Sequence, residues 1–426
     1  MPKIIVINRY CMPDESATSR MVSSLAVALV QRKFQPVLLA SRALHNIRTE
    51  ALPPFEVISG VAVHRLSTSR FGRSSLVGRA LDYLSFHAAV FLWLLRNIHA
   101  EDVCIVCTDP PLASATAILP ITLRQGIMVN WIMDLFPEAA IALGVVRGRG
   151  LLTRALLWFR DLSLKHARLN IAPIPRMADA LRKRGVPASR IRVIEHWSDG
   201  EAIRPLPNDG TPLRREWGLE RYFVVGYSGN LGRAHDFRTV LQAAQLLKND
   251  PTIAFLFIGG GHHRLWLERE AERLGLRNVL FKPLQPREHL AEALAVADVH
   301  LVTLLPALEE YIIPSKFHGI AAAGRPVLFV GDQNGEVAGL IRAGRCGASV
   351  TIGDHEGLSA WIMRLRDNAS MREEFGRNAR RLFERRFTEA RGVADWTRLL
   401  GDILRDNGAE VQGAELTAVG EPGGKR

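Results

Sequence analysis

The chain has 426 residues, of which 47% are hydrophobic and 23% charged, and a formal net charge of +12. This length is more than one ordinary core accommodates, so two domains are expected, and the composition excludes a disordered or fibrous chain. The positive balance points to an anionic partner (nucleic acid, an anionic membrane surface or a phosphorylated substrate), and four cysteines in this length exclude a disulfide framework.

From the N-terminus, Met1-Pro2-Lys3 runs straight into an apolar strand at 4–7, so no signal peptide is expected. A helix at 19–31 follows, then a strand at 36–40, short β signals at 55–58 and 61–66, and a long helix at 76–97. The pattern continues with a strand at 103–107, a helix at 112–124 and a strand at 127–133. These strands are apolar on both faces, as in a parallel sheet covered by helices, and the alternation predicts a doubly wound α/β domain. Cys104 and Cys107 form a C-x-x-C, but on a strand they point to opposite faces, and no second Cys or His pair lies nearby. They are expected to be core residues rather than zinc ligands, which fits a reducing cytoplasm. No apolar run reaches the roughly 20 residues of a membrane span.

Between Arg147 and Arg192 lie twelve basic residues and only two acids, Asp161 and Asp179. Leu151, Leu152, Leu156, Leu157, Trp158 and Phe159 are interleaved with them at spacings a helix can sort onto one side. Two readings stand open: a basic amphipathic helix on a membrane surface, or a helix packed on the sheet with a solvated basic face. A turn-rich linker at 205–212 precedes a second run of alternating elements. Its strands are expected at 223–227, 253–258, 279–281, 299–304, 327–330 and 348–352, with helices between them. Helices at 371–387 and 389–404 close the fold, and the tail after Asn407 reads as disordered.

Two doubly wound domains place their strand carboxyl ends, where ligands bind in such sheets, across one cleft. Two stretches stand at such ends in the second half, and a third opens a helix. Ser228-Gly229-Asn230-Leu231-Gly232-Arg233 joins a strand to a helix and suits a phosphate cradle, although it is neither a P-loop nor a G-x-G-x-x-G. Gly259-Gly260-Gly261 allows a ligand to approach the backbone, and His262 and His263 after it read as surface histidines. Pro314-Ser315-Lys316 opens a helix, with Ser315 as a candidate cap and Lys316 awaiting a phosphate or solvated. In the first half, Asp134 ends a strand and Glu138 begins a helix; both also fit capping and dipole roles. The loops Asn8–Thr18 and Thr108–Pro111 are candidates for an acceptor site.

Together these stretches resemble the family 4 glycosyltransferases of the GT-B type. The nearest likeness is the branch that builds bacterial O-antigen, capsule and exopolysaccharide with N-acetylated amino sugars. Its carriers are Thr108-Asp109-Pro110-Pro111, Asp134-Leu135-Phe136-Pro137-Glu138, His196-Trp197-Ser198-Asp199, Tyr227 to Arg233, and Pro314-Ser315-Lys316 with Ala323-Gly324-Arg325-Pro326-Val327. The motifs come in the family's order and spread from the first residue to about 400. The resemblance implies two Rossmann-like domains facing a central cleft: 1–204 for the acceptor, 205–387 for the nucleotide sugar. A helix at 388–406 would cross back to the first domain, before a tail at 407–426.

It also implies a UDP-linked donor held by Gly229, Asn230, Gly232, Arg233, Gly261, Glu310, Ser315 and Lys316, with no metal, no separate cofactor and no nucleic-acid partner. Asp134, Glu138 and Lys316 are the expected catalytic residues. The chain departs from the family at the paired glutamates, whose positions fall on Tyr311 and Gly319, so that Glu310 is the candidate substitute for the first. The family's Arg…Lys pair in the phosphate loop falls on Asn230 and His235. The expected activity is retaining transfer of a sugar to a polyprenyl-diphosphate-linked glycan, at the inner face of the plasma membrane and peripheral to it. A UDP-sugar 2-epimerase and a non-catalytic basic scaffold are the competing readings.

Overall fold

A computed structural model of the chain describes residues 2–44, 51–72, 76–207 and 211–408. Two sheets organise it. The first contains β1 (Lys3–Ile7), β2 (Gln35–Ser41), β3 (Phe55–Ile58), β4 (Val61–Leu66), β5 (Val103–Cys107), β6 (Ile127–Trp131), β7 (Leu169–Ala172) and β8 (Ile191–Val193). Their order is β3-β4-β2-β1-β5-β6-β7-β8. The second contains β9 (Phe223–Ser228), β10 (Ile253–Ile258), β11 (Val279–Lys282), β12 (Val299–Thr303), β13 (Val327–Val330) and β14 (Gly347–Val350). Their order is β11-β10-β9-β12-β13-β14.

Strand composition explains the pairing. β5 and β10 are buried along their whole length, and each pairs in parallel with its neighbours. Helices cover both faces of such strands, so no residue can be polar at low cost. Cys104 and Cys107 are fully buried members of β5, as their spacing on a strand predicts. β3 and β4 instead alternate in exposure and form an antiparallel hairpin at the sheet edge. In each sheet the order reverses beside the first strand, at β1 between β2 and β5 and at β9 between β10 and β12. These switch points leave a crevice at the strand carboxyl ends.

The chain packs as two compact units. One comprises Met1–Ile132, Phe159–Ile171 and the described residues from Gly392 onward; the other comprises Met133–Trp158 and Ala172–Arg391. This differs from a single boundary at 204/205, because two earlier segments fold with the second unit. Ala139 and Ile203 sit in the same core cluster as Val302, Leu308 and Phe317. Leu135 N–H donates to the Tyr311 carbonyl at 2.9 Å and Ser198 N–H to the Phe387 carbonyl at 3.0 Å. In the first unit, Trp396 on the last helix, Glu389–Asp406, packs against Trp131 at the end of β6, with ring centroids 4.7 Å apart and both rings buried. That helix therefore belongs with the first sheet from Gly392 on. The tail at 409–426 lies outside the described residues, as do 208–210 of the linker.

The basic stretch is not one helix. It comprises the helix Leu151–His166, β7, the helix Pro175–Lys183 and β8. Among the described residues, no helix is long and apolar enough to cross a membrane.

Candidate functional site

The loop after β9 is built by close approach of two backbones. Gly229 (φ +122°) lies beside the Lys316 stem, and a Cβ there would come within 2.9 Å of Lys316 Cε. Gly261 (φ +144°) faces Asn230 and Leu231, where a Cβ would meet Asn230 Oδ1 at 2.4 Å and Leu231 N at 2.7 Å. Leu231 N–H donates to the Gly260 carbonyl at 2.8 Å, and His263 N–H to the Leu231 carbonyl at 2.9 Å. Loop-on-loop packing therefore requires glycine at 261. Gly260 has open space around it. Asn230 is exposed, and its carbonyl accepts from the buried Tyr227 hydroxyl at 3.0 Å. Gly232 packs beside the Asn230 amide. Arg233 is exposed on this loop, and its charge, after burial and His262, helps to hold the His263 imidazole below its usual pKa.

Lys316 begins the helix Lys316–Ala322. Ser315 is exposed and its side chain does not cap that helix. Phe317 N–H donates to the Pro314 carbonyl and His318 N–H to the Ser315 carbonyl, both at 3.2 Å, so tight turns take up two of the donors at the helix start. The lysine side chain is what the stretch offers. Its Nζ lies 3.1 Å from His235 Nε2 and 5.1 Å from the Tyr227 ring centroid. Burial pushes the Lys316 ammonium down to about 8. Phe317 and Ile320 anchor the helix in the core of the second unit and thereby fix the lysine at the carboxyl ends of β9 and β12.

The paired-glutamate region is rearranged. Glu309, not Glu310, is buried: its Oε2 accepts from Glu336 N–H at 3.0 Å, and its carboxylate fills the space a side chain at Gly335 would need. Burial raises its pKa. Glu310 is partly exposed and pairs with Lys183 at 2.5 Å. Gly319 has only Leu294 near the position of a Cβ, at 3.8 Å.

Asp134 and Glu138 belong to the same unit as these loops. Asp134 is exposed, whereas Glu138 is buried and its carboxylate takes the Arg184 guanidinium at 2.8 Å. The helix Glu138–Ala142 has Pro137, not Asp134, at its cap position. In the first unit, the Asn8–Thr18 loop is less open than its sequence suggests. Asn8, Arg9, Tyr10 and Asp14 are buried, and Arg9 is spent on Asp82 at 3.3 Å.

An open cavity of about 930 Å³ lies at the other end of the second sheet, lined by Arg214, Phe223, Asp250, Asp298, Arg366 and Arg372 among others. Three of its arginines are engaged: Arg214 by Asp298, Arg366 by Asp250, and Arg372 by backbone carbonyls. Among the described residues, no group of three or more His, Cys, Asp or Glu is arranged to hold a metal ion.

Two largely parallel α/β sheets, with a glycine loop and a lysine at the carboxyl ends of the second, are the architecture expected of the GT-B fold. The family comparisons agree. Residues 16–197 match the glycosyl transferase 4-like domain, and residues 211–382 match glycosyl transferases group 1. The chain belongs to the family 4 glycosyltransferases. It is 28% identical over 353 residues to the glycosyltransferase WbjE of Pseudomonas aeruginosa, covering 80% of this chain and 84% of that one. It is 29% identical over 255 residues to WcaI of Escherichia coli, named for colanic acid biosynthesis, covering 59% of this chain and 62% of that one. The fold is similar to that of Anabaena HepE solved with UDP-glucose, at a TM-score of 0.70 and 16% identity, covering 94% of this chain and all of that one. Membership in this family favours sugar transfer over the epimerase and scaffold readings.

Proposed function

We propose that the chain is a retaining glycosyltransferase of surface polysaccharide biosynthesis. It moves a sugar, an N-acetylated amino sugar by the branch it resembles, from a UDP-sugar to a polyprenyl-diphosphate-linked glycan. The observation that carries this reading is the Lys316 ammonium held beside Gly229 at the carboxyl ends of β9 and β12. An ammonium in that low-dielectric position stabilises the charge that grows on a departing diphosphate. Exposed Arg233 on the same loop supplies a planar fork for the same group. The name of WcaI and the UDP-glucose bound to HepE support the pathway and the donor class.

In the step itself, the acceptor hydroxyl attacks from the face the diphosphate leaves, and the leaving phosphate takes the hydroxyl proton. No separate cofactor takes part. Asp134, being exposed, orients the acceptor or the reacting sugar, while Glu138 acts through its pair with Arg184 rather than by touching substrate. Glu310 is only weakly held by an exposed lysine, so it can turn to the donor in place of the glutamate that the family has at Tyr311.

The enzyme works at an anionic membrane surface, on the cytoplasmic face. Leu151, Leu152 and Trp158 are exposed by 85%, 71% and 59% rather than packed on a sheet, and exposed Arg147, Arg149 and Arg154 flank them. Apolar side chains ringed by arginines suit a headgroup boundary. The test is incubation of UDP-sugars with a polyprenyl-diphosphate-linked acceptor, followed by mass spectrometry. Transfer adds one sugar mass to the acceptor. Conversion of a UDP-sugar without acceptor, or no reaction with any of them, contradicts the reading.

A further inference from the structure

His235, 81 positions before Lys316, has no part in the transfer described above, yet both of its ring nitrogens are committed. Its Nδ1 lies 2.6 Å from the Thr303 carbonyl at the end of β12. A carbonyl oxygen only accepts, so the proton sits on Nδ1 and Nε2 presents a lone pair. Burial, and then the Lys316 charge, push the imidazole down to about 3, which keeps it neutral at ordinary pH. The Nε2 lone pair meets the Lys316 ammonium at 3.1 Å. The Tyr227 ring faces the same Nζ from β9. The other charged or titratable groups around the histidine are His263, and Arg233 next to it.

We propose that His235 is a positioning residue for Lys316: it takes one of the three ammonium N–H groups at Nε2 and leaves the others aimed at the incoming diphosphate. A free lysine would have to give up much rotamer freedom when the donor arrives. Here the ammonium is tethered beforehand by a ring that Thr303 fixes in one tautomer. The consequence for turnover rests on the transferase reading; the state of the lysine itself does not.

The experiment therefore reads the lysine first. Wild type, His235→Phe and His235→Gln are labelled with acetic anhydride across a pH series, and modification of the Lys316 peptide is followed by mass spectrometry. Phenylalanine keeps the ring volume but removes the acceptor that stabilises the ammonium, so the labelling midpoint falls by about half a pH unit or more. Glutamine can accept from the lysine and donate to Thr303, so its midpoint stays near that of wild type. The alkaline limb of kcat/KM for the donor moves by the same amount in His235→Phe, with kcat falling more than KM rises. A purely structural role predicts the opposite: a loosened site exposes Lys316 and its midpoint rises toward that of a solvated lysine. A rising or unchanged midpoint in His235→Phe overturns the proposal. A falling midpoint in a protein that transfers no sugar upholds the tether and defeats the transferase reading instead.

Discussion

Arg184 reaches the buried carboxylate of Glu138 at 2.8 Å, tying the segment after β6 to the helix Pro175–Lys183 within one compact unit. Leu135, three residues before Glu138, is bound in turn to Tyr311, just ahead of the Lys316 helix. Leu135 therefore holds the Asp134–Glu138 segment against the stretch that leads to the lysine, and Arg184 braces its other end. Arg184→Ala leaves a buried acceptor without its cation, a loss of about 1–3 kcal/mol. A lower thermal midpoint is expected, together with reduced transfer, because Asp134 loses its support. Calorimetry and a transfer assay on the purified variant check both; an unchanged midpoint contradicts the assigned pair.

Lys316→Met is expected to behave in the opposite way in stability. Burial lowers the folded-state pKa of Lys316 from 10.5 to about 8, so the unfolded chain binds more protons between those values. The lysine consequently costs the fold stability below about pH 8, and this cost fades as pH rises toward that of the unfolded lysine. At pH 7 the methionine variant should unfold no earlier than wild type, while transfer falls on the order of 100-fold or more. In wild type, activity should decline as pH rises through about 8, when the ammonium discharges. Thermal scans and pH–rate profiles test the two signs separately.

The glycine loop gives a contrast between neighbouring positions. Gly229→Ala puts a methyl group against the Lys316 stem at a backbone angle that side chains rarely adopt, an expected cost of about 1–3 kcal/mol with impaired transfer. Gly260→Ala meets nothing within 4 Å and should be nearly silent. Equal thermal shifts for the two substitutions would contradict the loop geometry.

Membrane attachment is checked with vesicles. Leu151→Ser combined with Trp158→Ser should reduce co-sedimentation with anionic liposomes at low salt, without lowering the thermal midpoint, because both side chains are exposed. Unchanged binding would remove this surface from the account.

Much of the fold was legible from periodicity. The strands of both sheets that are buried on both faces, such as β5 and β10, carry continuous apolar runs that stand out in the sequence. β7 and β8 did not, since they have four and three residues and sit within a basic stretch. Lys316, Gly229 and Gly232 were legible as a phosphate-type pair of loops. What brings them together was not: the tether runs from His235 to Lys316, and no local pattern encodes a contact over that separation. Glu309 and Glu310 are adjacent, and only the packing of Gly335 and Glu336 decides which of them is buried. The grouping of 133–158 and 172–204 with the second unit likewise depends on long-range contacts of Leu135, Ala139, Ser198 and Ile203.

The most direct test of the central claim is calorimetric titration of UDP and of uridine into wild type and Lys316→Met at pH 7. If Lys316 receives the diphosphate, the variant binds UDP at least about tenfold more weakly, a loss of about 1.4 kcal/mol, and binds uridine as wild type does. Equal UDP affinity in the two proteins, or a parallel loss for uridine, contradicts the claim.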